Sequence, residues 1–216
     1  MALPVSSKNR NLTIAGVLAV VASVEWIIGV FVAQAYYPNY SITYNALSDL
    51  GATCHSATAL TPNSCVIYQP SSIIFNTTLI LFGVLSIPAA YFINRSLRKR
   101  FFSTLLGLFG LGVLIDGVFP ENELTIHLLG GLVAFGGVIA AITVYRLGEA
   151  TPRYFQYSSA AIGIVSLVAT LLLFAVPLGT LESSVIGFGG LERIILYPLI
   201  IWEALLGIIF LAKYRS

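Results

Sequence analysis

The sequence predicts an all-α integral membrane bundle of six transmembrane helices, with both termini cytoplasmic and a long outer loop between helices one and two. Three observations carry that prediction. Only 9% of the 216 residues are charged, 57% are hydrophobic and mean hydropathy is +0.92, against about 25% charged residues in an ordinary soluble domain. Apolar runs recur six times along the chain, each near the roughly 20 residues that carry a helix across about 30 Å of hydrocarbon. Ten of the eleven Lys and Arg residues fall in connections on one side of those runs, the bias that marks a cytoplasmic face.

Residues 12–36 form the first run, entered from Lys8 and Arg10. The rival reading is a signal peptide with Ala33-Gln34-Ala35 as its cleavage site. An apolar stretch of about 25 residues exceeds the roughly 7 to 15 of a secretory core and is interrupted by Glu25, so a retained helix is expected. The runs at 72–93 and 101–119 are joined by Arg95, Arg98, Lys99 and Arg100, and those at 125–145 and 157–179 by Arg146 and Arg153. The last, 191–212, is followed by Lys213 and Arg215, which leaves Arg193 as the one cation on the outer face. Without water in the hydrocarbon each span must satisfy its own backbone, and runs lacking strict alternation are helices rather than barrel strands. Pro88, Pro177 and Pro198 are expected to kink their helices. Gly107, Gly110, Gly112, Gly130, Gly131, Gly136 and Gly137 let neighbouring backbones approach. Residues 1–216 read as one domain. Glu25-Trp26 and Trp202-Glu203 look alike, but their flanks do not align and no repeat is inferred. The basic residues gather at helix ends, which argues against a nucleic-acid surface.

The segment 37–71 is polar, aromatic and Pro-containing, and too long to be only a turn, so it is expected to form an ordered cap over the outer end. It carries the only cysteines, Cys54 and Cys65. On an oxidising face these are expected to form a disulfide closing the hairpin, worth roughly 2 to 4 kcal/mol. Two free thiols, or a metal pair with His55, are the alternatives, and the latter is a ligand short of a zinc site. Asn39-Tyr40-Ser41 is a glycosylation-type triplet on the same face.

Function must come from polar residues that a bilayer excludes. A charge at helix centre costs about 2.5 to 3.5 kcal/mol on insertion scales, so Glu25 and Glu203 are expected to point into the bundle. Counted from the outer ends they lie at similar depth, roughly 16 Å in at the helical rise. They form either a proton or cation site across helices one and six, or two protonated carboxyls that lock the bundle. A second group lies at the outer end. Asp116 closes helix three, Pro120-Glu121-Asn122-Glu123 reverses the chain, and His127 falls in the first turn of helix four. Asp116 is placed to orient or charge the imidazole, and Glu123 shares its helix face. That set suits acid/base chemistry or metal ligation, against a plainer reading as acids at a helix start beside an interfacial histidine. Ser48-Asp49 and Glu192-Arg193 complete the outer set, with Arg193 either paired to Asp49 or Asp116 or holding an anionic substrate group. Ser48 has no neighbouring His in sequence, so a nucleophile role would depend on folding alone.

Asn45-Ala46-Leu47-Ser48-Asp49-Leu50-Gly51 before helix two, Gly117-Val118-Phe119-Pro120 followed by His127, and Gly190-Leu191-Glu192-Arg193 leading into Trp202 together resemble the uncharacterised polytopic membrane family called domain of unknown function 998. The resemblance implies a helical integral membrane protein whose shared polar positions match Ser48, Asp49, Asp116, His127 and Arg193. It transfers no settled activity. The acidic residue that follows the family's Phe-Pro pair stands here as Glu121.

Three function classes follow. The first is an outer-leaflet, hydrolase-like acid/base enzyme acting on a lipid or lipid-linked substrate, with Asp49, Asp116 and His127 catalytic and Ser48 and Arg193 binding substrate. The second is a small proton- or ion-coupled carrier using Glu25 and Glu203. The third is an accessory subunit of a membrane complex. Membrane lipids are the expected partners, and a partner subunit or a second copy is the further expectation. No cofactor or metal is expected, since two histidines exclude a three-His site within one chain. A cell-membrane location follows from the charge bias.

Overall fold

The computed structural model describes residues 5–54, 65–177, 180–181 and 184–214; His55, Arg215 and the other residues between the cysteines lie outside them. Among the described residues, six helical segments are long and apolar enough to cross a membrane: Ser7–Tyr36, Ser71–Leu97, Arg100–Val118, Glu121–Ile142, Arg153–Ala175 and Gly187–Tyr214. Within them run α1 (Val5–Tyr36), α2 (Ser71–Leu97), α3 (Arg100–Val118), α4 (Leu124–Ala134), α5 (Gly136–Ile142), α6 (Arg153–Ala175) and α7 (Gly187–Tyr214). Large apolar side chains such as Ile28, Phe31, Ile73, Leu171 and Phe174 stand on the outside, the inverse of a water-soluble surface and the expected one for a lipid-facing bundle.

The fourth span differs from the single helix expected over 125–145. It is built from a 3-10 turn at Glu121–Glu123, then α4 and α5 meeting at Phe135, then a 3-10 stretch at Val144–Ala150. Gly130, Gly131, Gly136 and Gly137 each weaken a helix by about 1 kcal/mol relative to Ala, and close packing surrounds all of them but Gly131. A Cβ on Gly136 would lie 2.6 Å from the Leu105 carbonyl oxygen, and one on Gly137 2.7 Å from the Phe109 ring. Pro88 and Pro198 lie inside α2 and α7 as expected. Pro177 instead follows the end of α6, where Val176 is already extended (φ −92°, ψ 129°), because the residue before a proline is pushed out of the helical region.

Successive spans run antiparallel, joined along seams of small residues. A Cβ on Gly83 of α2 would sit 2.4 Å from the Gly110 carbonyl oxygen of α3, and one on Gly112 of α3 2.1 Å from the Ala134 nitrogen of α4. The first and last helices are neighbours: Gly16 and Gly207 face each other, and the Thr13 hydroxyl donates to the Tyr214 carbonyl (2.9 Å). One core of aromatic and aliphatic side chains runs between the helices, including Phe82 against Phe109 (5.3 Å between ring centres) and Trp202 against Phe102. Alternating directions place Lys8, Arg10, Arg95, Arg98, Lys99, Arg100, Arg146, Arg153 and Lys213 at one end of the bundle and Arg193 at the other.

That other end carries the cap. Residues 37–54 fold over the helix ends through a 3-10 turn at Ser48–Leu50 into β1 (Thr53–Cys54), which pairs antiparallel with β2 (Cys65–Val66). A disulfide joins Cys54 and Cys65. Tyr37 and Thr53 share a 2.6 Å hydrogen bond, and the hydroxyls at the start of α2 anchor the returning chain, Ser71 to the Leu50 carbonyl (3.2 Å) and Ser72 to the Gly51 carbonyl (2.6 Å). Gly187 is required where α7 begins: its φ is +68°, and a Cβ there would lie 2.1 Å from the Thr43 carbonyl oxygen.

Candidate functional site

The cap is stapled to α7 by two adjacent side chains of opposite charge. Arg193 is only 7% exposed, so its guanidinium must be satisfied by protein groups. Nη1 donates to the carbonyls of Asn45 (3.0 Å) and Gly189 (2.7 Å), Nη2 donates to the Tyr40 hydroxyl, and the cation lies 5.3 Å from the Tyr40 ring centre. Burial pushes the Tyr40 phenol up from its ordinary pKa despite Arg193. The phenol therefore keeps its proton and donates it to the Ala46 carbonyl (3.0 Å). Beside Arg193, Glu192 accepts the Leu47 backbone N–H at 2.6 Å. Asp49 organises the loop itself, with Oδ2 accepting from Asn45 Nδ2 and from the Ala46 N–H, both at 3.0 Å. The two motifs 45–51 and 190–193 thus dock on one another.

Beneath this staple lies a cavity of about 610 Å³, within the roughly 300–1,000 Å³ range of small-molecule sites. Leu47 and Ser48 of the cap roof it, Trp26, Phe75, Leu79 and Val113 line one side, and Val138, Leu199 and Ile200 lie on its lining deeper in the bundle. Leu128 and Leu132 of α4 and Phe174 of α6 line it and are 56%, 69% and 79% exposed. It therefore opens on the flank of the bundle between α4 and α6. α4 packs on α3, whereas α6 packs on α5 and α7.

Polar groups meet the cavity at its cap end: Ser48, Asp116, His127 and Glu192. Asp116 reaches it because α4 has no side chain at Gly130, where a Cβ would lie 2.0 Å from Asp116 Oδ1. That oxygen is buried and has no hydrogen-bond partner among the described residues. His127 Nδ1 lies 3.1 Å from the Phe119 carbonyl. A carbonyl can only accept, so Nδ1 carries a proton and a neutral ring has its lone pair on Nε2. Asp116 Oδ1 is 3.7 Å from Nδ1, beyond hydrogen-bond range. The imidazole is thus oriented by the backbone of the helix three–four turn, with the Asp116 carboxyl nearby. Ser48 stands beside the Glu121 carboxyl, and Asp49, Asp116, Glu121 and Glu192 are close enough to interact electrostatically.

Of the residues predicted from sequence, Ser48, Asp116 and His127 gather at one cavity, and Asp49 and Arg193 hold the cap next to it. Glu123 is exposed and does not line the cavity. Glu192 and Glu121, placed by the sequence in the outer set and the reversing turn without a role of their own, join the site, as does Trp26, which had not been assigned to it. Among the described residues no group of three or more His, Cys, Asp or Glu is arranged to hold a metal ion. Glu25 and Glu203 lie apart. Glu203 is fully buried and accepts from the Ser86 hydroxyl at 2.7 Å, while Glu25 Oε1 has no partner among the described residues. The register that sets Gly16 against Gly207 and Trp26 against Tyr197 puts Glu203 about five residues, roughly 7 Å of helical rise, further from the cap than Glu25.

Fold and site define a polytopic helical membrane protein with a flank-opening apolar cavity that ends in acidic groups and a histidine. The chain belongs to the family described as protein of unknown function (DUF998), whose family model matches residues 20–209. Neither the curated proteins nor the solved structures returned a match.

Proposed function

We propose that this protein sits in the cell membrane with both termini in the cytoplasm, and that its cavity takes a lipid or lipid-linked molecule from the outer leaflet for acid/base chemistry at the head group. The charge distribution supports the orientation, since a cytoplasmic face is the one enriched in Lys and Arg. One observation carries the chemistry: an apolar cavity open on the lipid-facing flank ends at Asp116, His127 and Glu192. In this reading His127, its Nδ1 proton committed to Phe119, presents Nε2 as the base, and the Asp116 carboxyl stabilises the imidazolium that forms. Asp49 and Arg193 act as positioning residues by holding the cap, and Ser48 contributes a hydroxyl at the roof.

The test is turnover of a membrane lipid extract by the protein reconstituted in liposomes, followed by mass spectrometry. A lipid species should be consumed by the wild type and spared by His127→Gln and Asp116→Asn. Equal consumption by all three, or none by any, would remove the enzymatic reading. The carrier reading has less support, because Glu203 is sealed in the bundle against Ser86 and shares no hydrogen bond with Glu25.

A further inference from the structure

The head group such a ligand carries can be argued from which charges reach the cavity. Arg193 is the only cation at the cap end among the described residues, and it does not line the cavity. Its Nη atoms donate to Asn45, Gly189 and Tyr40. No other Lys or Arg lines the cavity either, whereas Asp116 and Glu192 do. The hydroxyl of Thr170 is spent on the Ser166 carbonyl (2.8 Å) and that of Ser48 stands against Glu121. What remains is acceptor capacity, above all the Asp116 carboxyl, which lines the cavity and whose buried Oδ1 has no hydrogen-bond partner among the described residues. A buried acceptor of this kind is satisfied by a donor and repelled by another acceptor. An anionic head would bring its charge against two carboxyl groups with only His127 to oppose it.

We propose that the cavity selects amphiphiles whose head donates hydrogen bonds and carries no negative charge, a hydroxyl or amine on an alkyl chain, with Asp116 as the principal acceptor and the chain lying between α4 and α6. This rests on the reading of the cavity as a lipid site. It also reverses the expectation that Arg193 holds an anionic group.

The test uses Trp26, which lines the cavity, as a built-in reporter. The full chain in lipid nanodiscs is titrated with three chain-matched probes, 9,10-dibromostearyl alcohol, the corresponding primary amine and the corresponding sulfate ester, whose bromines quench indole fluorescence at close range. The Trp26→Phe protein serves as the blank. Gly131→Phe is the blocking variant: Gly131 lines the cavity, and a Cβ there meets no atom within 4 Å, so a side chain at this position starts in open space. The alcohol and amine should quench saturably at a half-saturating mole fraction at least about tenfold below that of the sulfate, the size of one unmade buried hydrogen bond. Gly131→Phe should abolish that quenching, and Asp116→Asn should narrow the difference at least threefold. Equal or tighter quenching by the sulfate would overturn the head-group selection while leaving the lipid cavity standing. A difference unchanged in Asp116→Asn would overturn the assignment to that carboxyl. Failure of all three probes, or quenching indifferent to Gly131→Phe, would remove the cavity reading and the selection with it.

Discussion

Replacing Arg193 by Met keeps an unbranched stem and removes the guanidinium half of the staple, leaving the Glu192–Leu47 and Gly189–Thr43 bonds in place. The guanidinium donates to two backbone carbonyls and a phenol, is 7% exposed, and lies over the Tyr40 ring. Bonds from a charged donor contribute about 1.5–3 kcal/mol each, and with part of that sum offset by the cost of desolvating the cation, losing all three costs about 3–5 kcal/mol. At 1.4 kcal/mol per decade, that range raises the population of the undocked cap by about two to three orders of magnitude. Hydrogen exchange read by mass spectrometry reports this directly, because the Leu47 and Gly189 amides are closed by contacts between the cap and α7. Peptides spanning 40–51 should exchange faster by that factor, peptides from α2 and α3 should not change, and Arg193→Lys should fall between, since an ammonium cannot reproduce the planar fork. Unchanged protection over 40–51 in a folded Arg193→Met protein would refute the staple.

Three further outcomes follow from the packing and the charges. Gly112→Val should lower thermal stability in detergent by about 1–3 kcal/mol through overpacking, since a Cβ there meets the Ala134 nitrogen at 2.1 Å, whereas Gly131→Ala should be neutral or stabilising by up to about 1 kcal/mol. The non-reduced protein should show no reactive thiol from Cys54 or Cys65, and the double Ser variant should lose about 3 kcal/mol of cap stability by loop entropy at a separation of 11 residues, seen as faster exchange in β1 and β2. A cysteine placed at the exposed Tyr44 in the double Ser background should react with an impermeant maleimide on intact cells, and one at Lys99 only after lysis; the reverse pattern would invert the proposed orientation.

The spans were legible because burying a helix in lipid demands a long apolar run, and the runs at 72–93 and 101–119 fall within a residue or two of α2 and α3 except where α2 continues to Leu97. The interruption at Phe135 was less so: glycines announce weak helix and close packing alike, and only the contacts of Gly136 and Gly137 decide between them. Asp116 and His127 were readable as neighbours because a short turn joins their helices. That the Phe119 carbonyl rather than Asp116 takes the imidazole proton depends on a difference of 0.6 Å between 3.1 and 3.7 Å, which no spacing encodes. Counting from helix ends placed Glu25 and Glu203 at one depth, but helices tilt and extend unequally, and the Gly16–Gly207 register separates them. The cavity was invisible in the sequence, because it arises where α4 and α6 part and neither helix records its distance from the other.

The pairing of α1 with α7 has a consequence for biogenesis. The cap is attached to α1, but Arg193, Glu192 and Gly189, the groups that fasten it, belong to α7, which is synthesised later. Until α7 is made, the stretch from Tyr40 to Leu47 lacks the contacts that dock it on that helix, and the face of α1 at Gly16 lacks Gly207. Closure must await a contact nearly as long-range as the polypeptide permits, the kind whose loop entropy is paid late. A translation product halted before Gly187 would thus insert its earlier helices yet leave its outer end unlatched, a natural mark by which quality control could tell unfinished chains from finished ones.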